Sequence, residues 1–270
     1  MNYFSSGQFW GETYQKSTFD GITATETEYH YKFIDWHYHE NPYFTLGILG
    51  NCREINKRET VECSPDSLVF HNCYEPHSNA KSDNITRQFQ IELSHDWCQR
   101  FEVNLEKIPN SLKILNPNIK LLFYNIYRES KLSDDISGLT IDSLLLEIFE
   151  SIGKIEATFG NSKPRWVYKI EEILHDNFDQ HLSLQGLAEE LEMHWVHISR
   201  EFPRYFRCNF GEYIRKIRIE KSLTLLRNRN LSLTEIALMC GFADQSHYIR
   251  CFKEFNKITP KKFRQIISSR

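Results

Sequence analysis

Long apolar runs are missing from this sequence. No stretch of about 18 hydrophobic residues occurs, which excludes a transmembrane helix. The first residues, MNYFSSGQFWGETYQ, lack a charged segment followed by an apolar one, so no secretory signal is expected. The seven cysteines (52, 63, 73, 98, 208, 240 and 251) form no Cys-x-x-Cys pair and supply no four-cysteine zinc cluster. They are expected to be reduced, mostly buried thiols of a cytoplasmic protein. Positive charge is scarce in the first part. Residues 1–163 carry 15 Lys+Arg against 23 Asp+Glu, whereas residues 164–270 carry 18 against 13. The net charge of -3 thus hides a basic C-terminal part, the part suited to a polyanion.

What is present is enough for real cores. The 270 residues are 40% hydrophobic and 14% aromatic, sufficient for one large domain or two ordinary ones. The first ninety residues read as strands: YFTLGILG, REINKRETVEC, DSLVFHN and ITRQFQIEL are short, rich in β-branched or aromatic residues, and separated by turn residues. Short strands at near-regular spacing favour a sandwich or barrel. From about residue 95 the period becomes helical. Asn116-Pro117 opens one helix through Glu129, with Ile119, Leu122, Phe123, Ile126 and Tyr127 on one side. A second helix runs from about Asp135 to Glu156. Its stripe of Ile141, Leu144, Leu145, Ile148, Ile152 and Ile155 suits packing on the barrel or on a second copy. The small polar segment Thr158–Pro164 reads as a linker. Helices are then expected at 165–178, 183–191, 194–206, 210–227, 232–239, 244–256 and 260–268.

Two stretches of the basic part repeat one another. LSLQGLAEELEMHWVHISREF begins at Leu182 and LSLTEIALMCGFADQSHYIRCF at Leu231. In each, a serine (Ser183, Ser232) stands where it can cap a short helix, and Ser232 with Glu235 fits a capping box. A tight turn follows, with Gly241 placed for a left-handed conformation, and then a second helix. Short helix, tight turn, second helix is the helix-turn-helix pattern, and Ala188 and Ala237 let each pair approach closely. Ile198, Phe202, Ile236, Ala237, Leu238, Tyr248 and Phe252 are assigned to the core. One residue disturbs the pattern. Pro203, inside HISREFPRYF, removes a bond to the carbonyl of Ser199 and predicts a bend after Phe202.

GFADQSHYIRCFKEFNKITPKKFR resembles the C-terminal signature of AraC/XylS-type bacterial transcription regulators. The resemblance rests on Gly241, Phe242, Asp244, Ser246, Tyr248, Arg250, Phe252, Lys253, Thr259, Pro260 and Arg264, and covers about residues 165–268. It implies two helix-turn-helix units joined by a long helix near 210–227, with two recognition helices entering successive major-groove segments of double-stranded DNA. By position, the base-reading residues are Trp195, Val196, Ser199 and Arg200 in the first unit, and Gln245, Ser246, Ile249 and Arg250 in the second. Phosphate contacts are expected from Arg204, Lys253, Lys261 and Lys262, and from the helix N-terminus opened by Thr259-Pro260. The sequence departs from the family where Arg207 and Lys257 replace a glycine that ends each recognition helix. Asn209 or Asn256, which tolerate the left-handed turn, are expected to take over.

In the first part, WHYHENPYF places His37 and His39 on one side of a strand, and FHNCYEPHSN adds His71 and His77. A His-x-His pair with a later histidine in a small barrel resembles the cupin arrangement. The glutamate that arrangement expects is absent, since Tyr43 and Phe44 hold its place, and Asp66 stands where it has glycine. The expectation is therefore a cupin-like sensor whose pocket of Trp36, His37, His39, Tyr43, Phe44, Phe70, Glu75 and His77 takes a small-molecule effector. No resident cofactor or metal is assigned, with His37, His39 and His77 the candidates if a metal binds.

The combined expectation is an α+β chain. A cupin-like ligand-sensing barrel occupies 1–95, a helical dimerisation or coupling segment 96–157, a linker 158–164, and an AraC-type DNA-binding domain 165–270. Its partners are DNA and an effector, with a second copy in a homodimer and RNA polymerase as further candidates, and no membrane. The competing reading is a metal-dependent cupin enzyme with an appended helical domain.

Overall fold

The computed structural model describes residues 2–57, 59–81, 85–159 and 163–268. The chain divides into two compact units, Met1–Gly153 and Lys154–Arg270. The first holds strands β1 (Asn2–Phe4), β2 (Glu12–Phe19), β3 (Ile22–Tyr29), β4 (Phe33–His39), β5 (Tyr43–Leu49), β6 (Cys52–Asn56), β7 (Thr60–Cys63), β8 (Leu68–His71), β9 (His77–Lys81), β10 (Thr86–Leu93) and β11 (Ser111–Ile114). They form two sheets, in the orders β1-β4-β9-β6-β7 and β11-β8-β5-β10-β3-β2. The segment REINKRETVEC, read as one strand, is instead the hairpin β6–β7, with Cys52 opposite Cys63 and Ile55 opposite Thr60. Its polar middle makes the turn, and Arg58 lies outside the described residues.

The sheets differ in what covers them. Helices α1 (His95–Arg100), α2 (Pro117–Leu132) and α3 (Ser137–Phe159) follow the last long strand. Asn116 caps α2 by accepting from the Asn118 amide, with Pro117 in the first turn. Phe123 and Tyr127 of α2 meet Phe89 of the six-stranded sheet, and Phe149 of α3 meets Phe44 and Phe70. Ile141, Leu145 and Ile148 are fully buried. The stripe on α3 is therefore spent within its own unit as far as Ile152, and the Ile155 side chain lies outside the described residues. Leu132, Ile136 and Leu139 stay exposed beside it.

The second unit is helical: α4 (Arg165–Asp176), α5 (Leu184–Glu190), α6 (Trp195–Phe206), α7 (Phe210–Leu225), α8 (Leu233–Met239), α9 (Gln245–Asn256) and α10 (Pro260–Ser268). Apart from α4, whose cap position is Pro164 and carries no side-chain bond, each start follows from a side chain that satisfies orphan amides. Ser183 accepts from the Gly186 amide at 3.0 Å, Asp244 from the His247 amide at 2.7 Å, and Asn209 from the Glu212 amide at 2.9 Å. Ser232 and Glu235 form the reciprocal capping box. The first helix-turn-helix, α5–α6, packs Leu187, Ala188, Ile198, Phe202 and Phe206 against Val167, Ile170 and Leu174 of α4 and Tyr213 and Ile217 of α7. In the second, α8–α9, the rings of Phe242, Tyr248 and Phe252 meet in sequence, tilted or edge to face, and Phe252 meets Phe263 of α10 edge to face. Arg218 of α7 donates to the carbonyls of Phe178 and Gln180, tying the α4–α5 loop to the long helix.

Three expectations change and one is narrowed. Leu238, assigned to the core, is 58% exposed, because Ile236 and Ala237 already turn the buried face of α8 inward. Helix α3 runs to Phe159, into the segment read as linker, whose residues Gly160–Ser162 lie outside the described ones. Helix α6 runs through Pro203 to Phe206, so whatever bend the proline introduces after Phe202 does not end the helix. One missing amide removes one bond, while Ile198, Phe202 and Phe206 hold three successive turns against the core. Finally, neither asparagine replaces the missing glycines. Arg207 and Lys257 themselves take φ +60°, closing α6 and α9 with amide bonds back to Pro203 and Lys253, each 3.0 Å. Asn209 caps α7, and Asn256 is buried as the last residue of α9.

Those two caps carry a stability prediction. A left-handed non-glycine residue costs about 1 kcal/mol, while glycine adopts that conformation freely but loses more unfolded-state entropy. Arg207→Gly and Lys257→Gly are each expected to leave stability unchanged or raise it by up to about 1 kcal/mol. Denaturant titration checks this, and a clear loss at both sites would show that the caps are not strained.

Candidate functional site

The two sheets of the first unit enclose a polar cavity, and strand register decides what faces it. Alternation on β4 sends His37 and His39 inward. His77 lies directly opposite His37 across the β4–β9 ladder, and Tyr43 opposite His71 across β5–β8. Glu54 and Asn79, paired on β6 and β9, and Gln90 of β10 complete the polar lining. Phe9 and Trp10 line one side, and Phe4 packs on both His37 and His39. The cavity volume is about 30 Å³.

Hydrogen bonds fix how two of the histidines present themselves. His37 Nδ1 lies 2.8 Å from the Asp35 carbonyl, and His77 Nδ1 3.0 Å from the Glu75 carbonyl. A carbonyl can only accept, so each Nδ1 carries the proton and each Nε2 presents a lone pair. The Tyr43 hydroxyl, 3.1 Å from His77 Nε2, donates to it. His39 Nδ1 is buried with no hydrogen-bond partner. Burial, with His77 alongside, pushes His37 down to about 4. Burial lowers His39 and His77 as well, so all three are neutral at pH 7. Burial works to raise Glu54, and the imidazoles of His71, His77 and His37 work to lower it when they carry charge. His71 Nδ1 stands 3.3 Å from Glu54 Oε1.

Of the eight residues expected to line the pocket, His37, His39, Tyr43 and His77 do so. Phe44 and Phe70 do not. They alternate with Tyr43 and His71 and point to the other face of the sheet, against Phe123 and Phe149. Trp36, next to His37, faces outward for the same reason. Glu75 contributes its backbone to His77, while its carboxylate accepts from Asn110. Glu54, His71, Asn79 and Gln90 are among the lining residues that the sequence pattern does not place there.

In the second unit, the outward faces of α6 and α9 carry the residues expected at DNA. Trp195 is 51% exposed, and Val196, Ser199, Arg200 and Arg204 are also exposed. On α9, Ser246, Arg250 and Lys253 are exposed, while Gln245 and Ile249 are half-buried. Gln245 Oε1 accepts from the Thr234 hydroxyl at 2.6 Å, which orients its amide. Lys261 and Lys262 are exposed on the first turn of α10, where Thr259 accepts from the Lys262 amide at 3.2 Å. Several residues of the signature prove structural. Asp244 caps α9, Tyr248 and Phe252 are core, and Arg264 donates to the Leu226 carbonyl.

Two capped helix-turn-helix units joined by one long helix define a DNA-binding domain, and residues 187–266 match the family model described as Helix-turn-helix domain. The domain is of the AraC type. The HTH-type transcriptional regulator YpdC of Escherichia coli is 31% identical over 107 residues, 38% of each chain. The HTH-type transcriptional regulator GbdR of Pseudomonas aeruginosa is 27% identical over 106 residues, 39% of this chain and 29% of that one. The chain thus spans well under half the length of either relative. The structure of ToxT from Vibrio cholerae is 15% identical, covering 93% of this chain and 100% of that chain, with a TM-score of 0.39. No helix among the described residues is long and apolar enough to cross a membrane.

Proposed function

We propose that this chain is a sequence-specific transcription regulator, not an enzyme. Its second unit reads a promoter and its first unit senses a small molecule. The observation that carries the reading is the doubled, basic, outward-facing helix pair within the matched residues 187–266. In this reading α6 and α9 occupy successive major-groove segments. Trp195, Val196, Ser199 and Arg200, and Gln245, Ser246, Ile249 and Arg250, face base edges. Arg204, Lys253, Lys261 and Lys262 meet phosphate, and the start of α10 at Thr259 offers amides to another. A homodimer would draw on the exposed Ile136 and Leu139, since the α3 stripe is already covered as far as Ile152. RNA polymerase is a further partner of an activator built this way.

Arg250→Ala tests the reading. A bidentate arginine–guanine contact is worth about 1–3 kcal/mol of discrimination. The variant is therefore expected to lose about 10- to 100-fold affinity for a DNA site selected by the wild type, with little change on random duplex. Equal losses on both would make Arg250 a phosphate contact.

A further inference from the structure

We propose that the cavity of the first unit is a metal site, in which His37, His39 and His77 supply three imidazole nitrogens to one divalent first-row transition ion. One ligand nitrogen from each of the three histidines lies within 4.8 Å of the other two, and all three residues are buried. Two of them already have the outer support such ligands need. A backbone carbonyl fixes Nδ1–H of His37 and of His77, which leaves each Nε2 as a lone pair; that of His77 accepts from the Tyr43 hydroxyl, a bond that an ion would replace. His39 has a buried ring nitrogen that no protein group satisfies.

Glu54 lines the same cavity and stands 3.3 Å from His71, so it is already paired and is not counted among the ligands. The cavity of about 30 Å³ has room for an ion and a bound water. Phe4 and Phe9, stacked on His39, shield one side. The donor set also selects the ion. Imidazole suits zinc, nickel, copper and iron, whereas magnesium and calcium need oxygen ligands. Tetrahedral zinc, with Zn–N bonds of about 2.0–2.1 Å, holds its nitrogens about 3.4 Å apart. Binding therefore draws the rings together by roughly an ångström. The site is independent of whether the chain regulates transcription.

The test uses the full chain, stripped with a chelator and then titrated with Co²⁺ and Zn²⁺. One equivalent per chain is expected, with visible Co²⁺ bands of a nitrogen-ligated centre, a raised melting temperature, and no uptake of Mg²⁺. His37→Ala and His77→Ala should each abolish the bands, and His181→Ala, on an exposed loop of the second unit, should keep them. Absence of uptake by the folded wild-type chain overturns the proposal even if the variants do not fold. Uptake that survives in the His37→Ala/His77→Ala double variant overturns it too. DNA affinity measured on the same preparations is a separate result, so failure of the metal site and failure of the regulator reading are distinguishable.

Discussion

Gly241→Ala is expected to destabilise the second unit by about 2–5 kcal/mol. Gly241 sits at φ +75° in the turn between α8 and α9. A non-glycine residue in that conformation costs about 1–2 kcal/mol. The added Cβ would also stand 2.6 Å from the Asp179 carbonyl oxygen and 2.8 Å from its Cα. Those are backbone atoms of the α4–α5 loop, which Arg218 pins through Phe178 and Gln180, so they cannot step aside. Overpacking of this kind adds about 1–3 kcal/mol. The turn sets the angle of α9, so DNA affinity falls with stability. Gly153→Ala is the control. It lies in a helix with nothing within 4 Å of a new Cβ, and alanine there should stabilise by about 0.5–1 kcal/mol. Denaturant titration of both variants decides the matter. A Gly241→Ala protein as stable as wild type would mean that the turn is not a fixed element.

The second large effect is on DNA binding. If Arg204, Lys253, Lys261 and Lys262 each neutralise a phosphate, the salt slope is about -0.9 for each, or roughly -3.6 in all. Raising monovalent salt from 50 to 200 mM should then weaken binding about 150-fold, on selected and random duplex alike. Lys253→Ala should flatten the slope by about 0.9, and Lys32→Ala, in the acidic first unit, should leave it unchanged. A slope near zero would remove the phosphate grip from the account.

The second unit was the more legible part of the sequence. Its N-terminal caps, that of α4 excepted, are local, a side chain reaching an amide two or three residues ahead, and its core repeats at intervals of three and four. Helix starts at Leu184, Phe210, Leu233 and Pro260 therefore follow from neighbouring residues alone. The ends were harder. Position past the last helical turn, rather than residue preference, drives Arg207 and Lys257 into the left-handed region. At Asp66 it is the tight turn between β7 and β8 that imposes φ +74°, where the cupin arrangement has glycine. In the first unit, period two placed His37 and His39 together, but the neighbours of a strand depend on register. Glu54 reaches the histidines only because β6 pairs with β9, a pairing no local pattern announces. Shifting attention by one residue was enough to put Phe44, Phe70 and Trp36 in the wrong layer.

The central claim is that two helix-turn-helix units on one rigid helix read DNA together. Hydroxyl-radical footprinting of the full chain, on a duplex selected from a random pool, tests it most directly. Two protected patches are predicted on one face, about one helical turn or roughly 10 base pairs apart, with Arg200→Ala weakening one patch and Arg250→Ala the other. A single patch that both variants weaken equally would contradict it.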